Sequence, residues 1–276
     1  MTDGLLACKY VDDIAPAIDK LGWAVVQPLL SSSYTGYGTS SLSRDAEELG
    51  QLLATIDARS PVDAFAIVGH STGCQDIVAL LRTAPPAVRK KIRAAVLQAP
   101  VSDRENSDNP AETAALLTTA EGLVARGEGS TLVPGYLHNG FVPMNAERFV
   151  ALHARLGADD MFSSDLTDEE LRSRLGHMGT SGQREGIKGE DGTWIVEPLP
   201  EHPGLRTCFA CSGADEYVPK DVDVPALAGR FVAMAGGAPN GAEAFIVPDA
   251  NHNCAEPPSA KGDFVQCVCR VLGAAA

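Results

Sequence analysis

Positive charge is scarce in this chain. Its 22 Lys and Arg stand against 36 Asp and Glu, for a formal net charge of −14 and a pI near 4.8. Phosphate backbones are bound by clustered Lys and Arg, so a nucleic-acid partner is excluded, and a strongly anionic ligand is disfavoured. Long hydrophobic runs are also missing. Nothing approaches the roughly 20 apolar residues that span a bilayer, so no membrane partner is expected. Met1-Thr2-Asp3-Gly4 lacks the charged and apolar regions of a secretory signal. A disulfide framework is absent too: seven cysteines (Cys8, Cys74, Cys208, Cys211, Cys254, Cys267, Cys269) are an odd number scattered over 276 residues. That usage suits reduced, mostly buried thiols and a cytoplasmic location. Cys208 and Cys211 form a CxxC inside a strand-like run, where residues three apart point to opposite faces, so no redox or zinc role is expected. No HExxH or convergent His/Cys spacing is present, so neither a metal nor another cofactor is expected.

What is present is organised around residues 65–81. Phe65-Ala66-Ile67-Val68 reads as a buried strand. After Gly73, apolar residues at Ile77, Val78, Leu80 and Leu81 suit a helix packed on a sheet. Between them Gly69-His70-Ser71-Thr72-Gly73 is G-x-S-x-G, the pattern of a nucleophile elbow. A serine on so sharp a strand-to-helix turn takes strained dihedrals, and small neighbours let the two elements approach. Gly69 and Gly73 are both expected to supply that space.

The remaining pattern alternates strands and helices, which predicts a mostly parallel α/β sheet flanked by helices. Helical spacing runs over 5–21, and 23–30 reads as a strand. A Ser/Gly/Tyr loop over 31–40 precedes a helix to about residue 58, with Ser41 or Ser43 as its cap. Residues 92–97 form another buried strand. From 103 to 203 the pattern becomes helical but interrupted, with helices over 110–125, 145–156 and 167–175, then a Gly-rich polar stretch. Strand-helix alternation resumes over 206–212, 224–235, 244–247 and 262–272. The chain therefore divides into a core of 1–102 and 204–276 and an inserted cap of 103–203.

A serine nucleophile needs a base within hydrogen-bond reach, itself oriented by a carboxylate. In open α/β sheets such groups gather beyond the carboxyl ends of the strands. Asp215 lies just past the strand ending near Ser212, and His252 just past the strand ending near Val247. The order Ser71, Asp215, His252 is the chain order of the α/β-hydrolase architecture. Asp103 is the chief rival for the acid and Asp249 a weaker one, while Glu216 reads as a solvated charge. His70 is expected to point away from Ser71 and to pack or hydrogen-bond. His138, His153, His177 and His202 fall in the insertion as surface or substrate-facing residues. One oxyanion donor is expected from the Thr72 backbone N–H. The second would come from 1–4 or from the 31–36 loop, where Ser32, Ser33 and Tyr34 border the site.

Taken together, GHSTGCQDIV at 69–78, LLSSSYTGYGTSSLSRDAEEL at 29–49, SGADEYVP at 212–219 and ANHNC at 250–254 resemble a fungal and plant α/β-hydrolase family that includes the intracellular siderophore esterases. The resemblance covers 2–105 and 204–272, and the insertion matches only loosely. It implies an α/β-hydrolase fold, Ser71, Asp215 and His252 as a catalytic triad, and hydrolysis of small-molecule esters, among them hydroxamate siderophores whose cleavage releases iron. In that family a strand and a Gly-Gly-Leu-type loop precede the segment matching Thr2 to Leu5, so N-terminal strands are expected to be missing here. An acyltransferase or thioesterase of a biosynthetic pathway, or a non-catalytic binding protein on a hydrolase fold, remain the alternatives.

Overall fold

Four parallel strands form the centre of the computed structural model, which describes residues 4–105, 109–134, 142–180, 186–188, 194–196 and 198–275. They are β1 (Phe65–His70), β2 (Ile92–Gln98), β7 (Arg206–Ser212) and β8 (Ala242–Val247), side by side in that order. Each pair is parallel, with Val68 opposite Val96, Leu97 opposite Phe209, and Cys211 opposite Ile246. Parallel strands buried on both faces read as continuous apolar runs, as IRAAVLQ and RTCFACS do.

Successive side chains point to opposite faces, so each strand feeds two cores. Ala95, Leu97, Phe209 and Cys211 face a cluster shared with α2 (Leu42–Arg59), α3 (Thr72–Thr83) and α8 (Val224–Met234). Ala94, Val96, Cys208 and Ala210 face the opposite cluster, closed by α1 (Val11–Asp19) and α9 (Pro258–Gly273). Cys208 and Cys211 therefore belong to different cores, and all seven cysteines are free thiols. Each fully buried Leu or Phe contributes roughly 1.5–3 kcal/mol relative to exposure. The short α4 (Pro86–Arg89) starts with proline at its first position.

Within 103–203, α5 (Pro110–Ala125) packs with the ribbon of β3 (Leu132–Val133) and β4 (Met144–Asn145) and with α6 (Ala146–His153) around Phe149, Leu152 and Ala120. Met161, Phe162, Leu171 and Met178, which flank and form α7 (Asp168–Leu175), are instead part of the main core. Thr167 and Glu170 close a reciprocal capping box at the start of α7. A two-strand ribbon, β5 (Ile187–Lys188) with β6 (Trp194–Val196), completes the block.

Two expectations near the N-terminus fail. The helix over 5–21 is only Val11–Asp19: Leu6 has a positive φ of 66° and is 74% exposed, so the apolar spacing of Leu5 and Leu6 never turns toward a core. Residues 23–30 have no regular secondary structure and form no ladder among the described residues. Val26 and Leu29 are exposed, and among the described residues β1 pairs with a strand on one side only. Strand character needs a neighbouring backbone, which composition does not report. Ser41, by contrast, does cap α2, accepting a hydrogen bond from Arg44 N at 3.3 Å.

Candidate active site

The turn after β1 carries Ser71 at φ 54° and ψ −123°, a region L-residues enter at a cost of about 1–3 kcal/mol. It persists because both backbone groups are held: Ser71 N donates to Gln98 O at 3.0 Å, and Cys74 N donates to Ser71 O at 2.8 Å. The two glycines of the motif differ. A Cβ on Gly69 would run into the Gly73 carbonyl and stand 2.9 Å from Ile77 Cδ1, whereas a Cβ on Gly73 would meet nothing within 4 Å. Strand and helix approach through Gly69 alone, contrary to the equal role expected from the motif.

Asp215 and His252 meet at the ends of β7 and β8. Gly213 N donates to Val247 O and Ala214 N to Ala250 O, both at 2.9 Å, which ties the turn of Asp215 to the loop of His252. His252 Nδ1 donates to both Asp215 oxygens, at 2.9 and 3.0 Å, with the two side chains 7% and 1% exposed. A carboxylate oxygen accepts, so this contact places the imidazole proton on Nδ1 and leaves Nε2 as an acceptor. The imidazole lies against the rings of Tyr217 at 4.5 Å and His70 at 4.8 Å. Among the described residues no hydrogen bond joins Ser71 Oγ to His252. Such contacts are commonly long before substrate binds. A cavity of about 20 Å³ behind Asp215, bordered by Cys211, Val218 and Phe231, has room for one water and not for a substrate.

The rival acid Asp103 accepts from Gln75 Nε2 at 3.0 Å rather than from His252. Burial, reinforced by Asp159, pushes its carboxyl up to about 7. Glu216 is exposed, as expected of a solvated charge, and it also accepts from His252 N at 2.8 Å, which steadies the loop. His70 does hydrogen-bond away from Ser71, to Gln98 Oε1, yet its ring also packs on His252. His177 and His202 are buried in the fold rather than facing substrate, with His177 Nε2 on Val78 O at 2.9 Å. His153 is half-buried against Phe149. His138 and Met1 to Asp3 lie outside the described residues.

Thr72 opens α3, so its N–H stands at a helix N-terminus beside the serine. Of the loop candidates, Ser32 is buried, Ser33 precedes a 3-10 turn (Tyr34–Thr39), and Tyr34 is half exposed with its ring against Gly4. Tyr37, which the sequence offers with Tyr34 as a residue bordering the site, is the one that brings this loop to the elbow. It is buried beside Thr72, and the Arg148 guanidinium lies 4.8 Å over its ring.

Around Arg148 lies a charged cluster that no motif announces. Arg148 Nη1 pairs with Asp159 at 2.6 Å, both almost fully buried, and Arg148 Nε donates to Tyr37 O at 3.2 Å. Asp76, in the same surroundings, is pushed up to about 8 by burial and then by Asp45. Among the described residues no group of three or more His, Cys, Asp or Glu could hold a metal ion, and no helix is long and apolar enough to cross a membrane.

Known proteins resemble this chain over most of its length. A UPF0613 protein of Schizosaccharomyces pombe is 30% identical over 263 residues, covering 91% of this chain and 77% of the relative. The fusarinine C esterase sidJ of Aspergillus fumigatus is 28% identical over 302 residues, covering 91% and 79%. Among solved structures, the siderophore hydrolase EstB from Aspergillus fumigatus superposes with a TM-score of 0.76 at 26% identity, over 100% of this chain and 88% of that one. The chain has the α/β-hydrolase fold and is an esterase. It belongs to the family described as Protein of unknown function (DUF1749), which matches residues 1–273.

Proposed function

We propose that the chain is a serine esterase that cleaves ester bonds of hydroxamate siderophores and so frees their iron. The observation that carries the catalytic part is the His252 Nδ1 bond to both Asp215 oxygens, beside a serine held at positive φ. In this reading His252 Nε2 takes the Ser71 proton as Oγ attacks the ester carbonyl, and Asp215 steadies the imidazolium. The Thr72 N–H and a second donor from the loop of Ser32, Ser33 and Tyr34 bind the oxyanion, each worth roughly 2.7–4 kcal/mol in the transition state. The imidazolium then protonates the leaving alcohol, and water, activated by the same imidazole, releases the acyl group.

The siderophore part rests on the names of two relatives, a fusarinine C esterase and a siderophore hydrolase. Iron is cargo here, not a cofactor. Within 103–203, α5, the β3–β4 ribbon and α6 serve as a cap that sets substrate size, while the segment of α7 belongs to the core. The seven free thiols suit the reducing cytosol. The experiment is turnover of ferric and desferri hydroxamate esters and of a short-chain aryl ester by wild type and Ser71→Ala. Wild type hydrolyses both classes and Ser71→Ala neither. Turnover of the aryl ester alone removes the siderophore assignment, and equal turnover by both proteins removes Ser71.

A further inference from the structure

Gln98 ends β2, the strand between the one that leads to Ser71 and the one that leads to Asp215. It is fully buried at the carboxyl edge of the sheet. Its backbone carbonyl accepts from Ser71 N at 3.0 Å. Its side-chain Nε2 donates to His252 O at 2.9 Å and Ser212 Oγ at 3.2 Å, with Cys254 Sγ at 3.4 Å. On the other end, Oε1 accepts from His70 Nδ1 and from Tyr10 O–H at 3.4 Å. The orientation of the amide is forced, because the His252 carbonyl can only accept. Oε1 must then face His70 and Tyr10, which fixes the His70 tautomer with its proton on Nδ1.

One residue thus touches all three chain segments of the proposed triad: Ser71 itself, Ser212 three residues before Asp215, and the backbone of His252. We infer that Gln98 is a positioning residue, whose amide sets the place of the His252 ring relative to the Ser71 elbow through His70 and the His252 carbonyl. The inference rests on the proposed serine-esterase reading. An apolar side chain of similar length would fill the space and supply none of these bonds. A carboxylate would turn an oxygen toward the His252 carbonyl. The titratable groups that face the amide are Tyr10 from the turn before α1, His70 from β1, and His252 and Cys254 from the loop after β8.

Displacing a reacting group by about 1 Å costs on the order of a hundredfold in rate. Gln98→Leu and Gln98→Glu, with His70→Ala as a milder cut at the other end of the bridge, are compared with wild type for kcat, KM and pH profile on an aryl ester. Nitrogen-15 NMR of the histidine rings follows the same proteins. The expected result is a kcat loss of about tenfold to a hundredfold for both Gln98 variants, with KM within about twofold. The Gln98→Glu loss shrinks toward acid pH, where the protonated carboxyl regains one donor, and the Gln98→Leu loss does not. His70 shifts away from the Nδ1–H tautomer in Gln98→Leu. Unchanged kcat and pH profile, or unchanged His70 and His252 ring signals, overturn the inference. If the wild type itself turns over no ester, the esterase reading fails, and the ring signals of the near-isosteric Gln98→Glu and of His70→Ala still decide the positioning role.

Discussion

Gly69→Ala and Gly73→Ala are the same chemical change at the two ends of one motif, and the structure assigns them opposite signs. At Gly69 the new methyl would stand 2.6 Å from the Gly73 carbonyl carbon, 0.4 Å inside the 3.0 Å below which Cβ atoms essentially never come. The obstacle is backbone in the first turn of α3, not the end of a flexible chain, so β1 and α3 must separate. Overpacking of this kind costs typically 1–3 kcal/mol, and about 3 kcal/mol or more is expected where backbone must move. At Gly73 the methyl meets nothing within 4 Å, and the residue is already helical. Alanine there loses less backbone entropy on folding and is expected to stabilise by up to about 1 kcal/mol. Urea denaturation of both variants, with m-values compared, reads the difference. A Gly69→Ala cost below about 1 kcal/mol, or a comparable cost at Gly73, would refute the reasoning from close approach.

Arg148→Met is expected to cost about 3–5 kcal/mol, because it strands the buried Asp159 carboxylate. Adding Asp159→Leu should recover much of that in the same denaturation assay. The pH dependence of stability has two flanks of opposite sign. Asp76 and Asp103, raised to about 8 and about 7, stay protonated in the folded chain where the unfolded chain is ionised. Their contribution is complete below about pH 4 and is lost as pH rises through 7 to 8. Burial holds His177 at about 3 and His202 at about 4, so their contribution is present above about 6.5 and is lost as pH falls toward 4. Melting temperature against pH should therefore fall on both sides of a mid-range maximum. Asp76→Asn should make the fall in stability between about pH 4 and pH 8 shallower, with Asp103 still contributing, and an unchanged slope there would contradict the burial argument.

The elbow is legible in the sequence because it is local: a β-branched strand, G-x-S-x-G and an amphipathic helix lie within seventeen consecutive positions, 65–81. Asp215 and His252 are legible as positions for a different reason, since each follows a strand in the order this architecture uses. Gln98 is not legible, because its role exists only once β1, β2, β7 and the loop after β8 stand side by side. The same holds for Glu216, whose partner is 36 residues away. Composition also misleads where pairing decides. WAVVQPLL at 23–30 has strand residues and, among the described residues, no ladder, and LL at 5–6 has helical spacing and no helix. The Arg148–Asp159 pair lies in a stretch whose apolar rhythm says nothing about a charge turned inward.

Ser71 is the reacting group of the proposed esterase, and covalent labelling reads it most directly. A fluorophosphonate probe is incubated with wild type and with Ser71→Ala, each checked for a native melt, and the modified peptide is located by mass spectrometry. The expected result is one label per chain on the peptide that contains Ser71 in wild type, and none on Ser71→Ala. A folded wild type that takes no label, or a label that persists on Ser71→Ala, contradicts it.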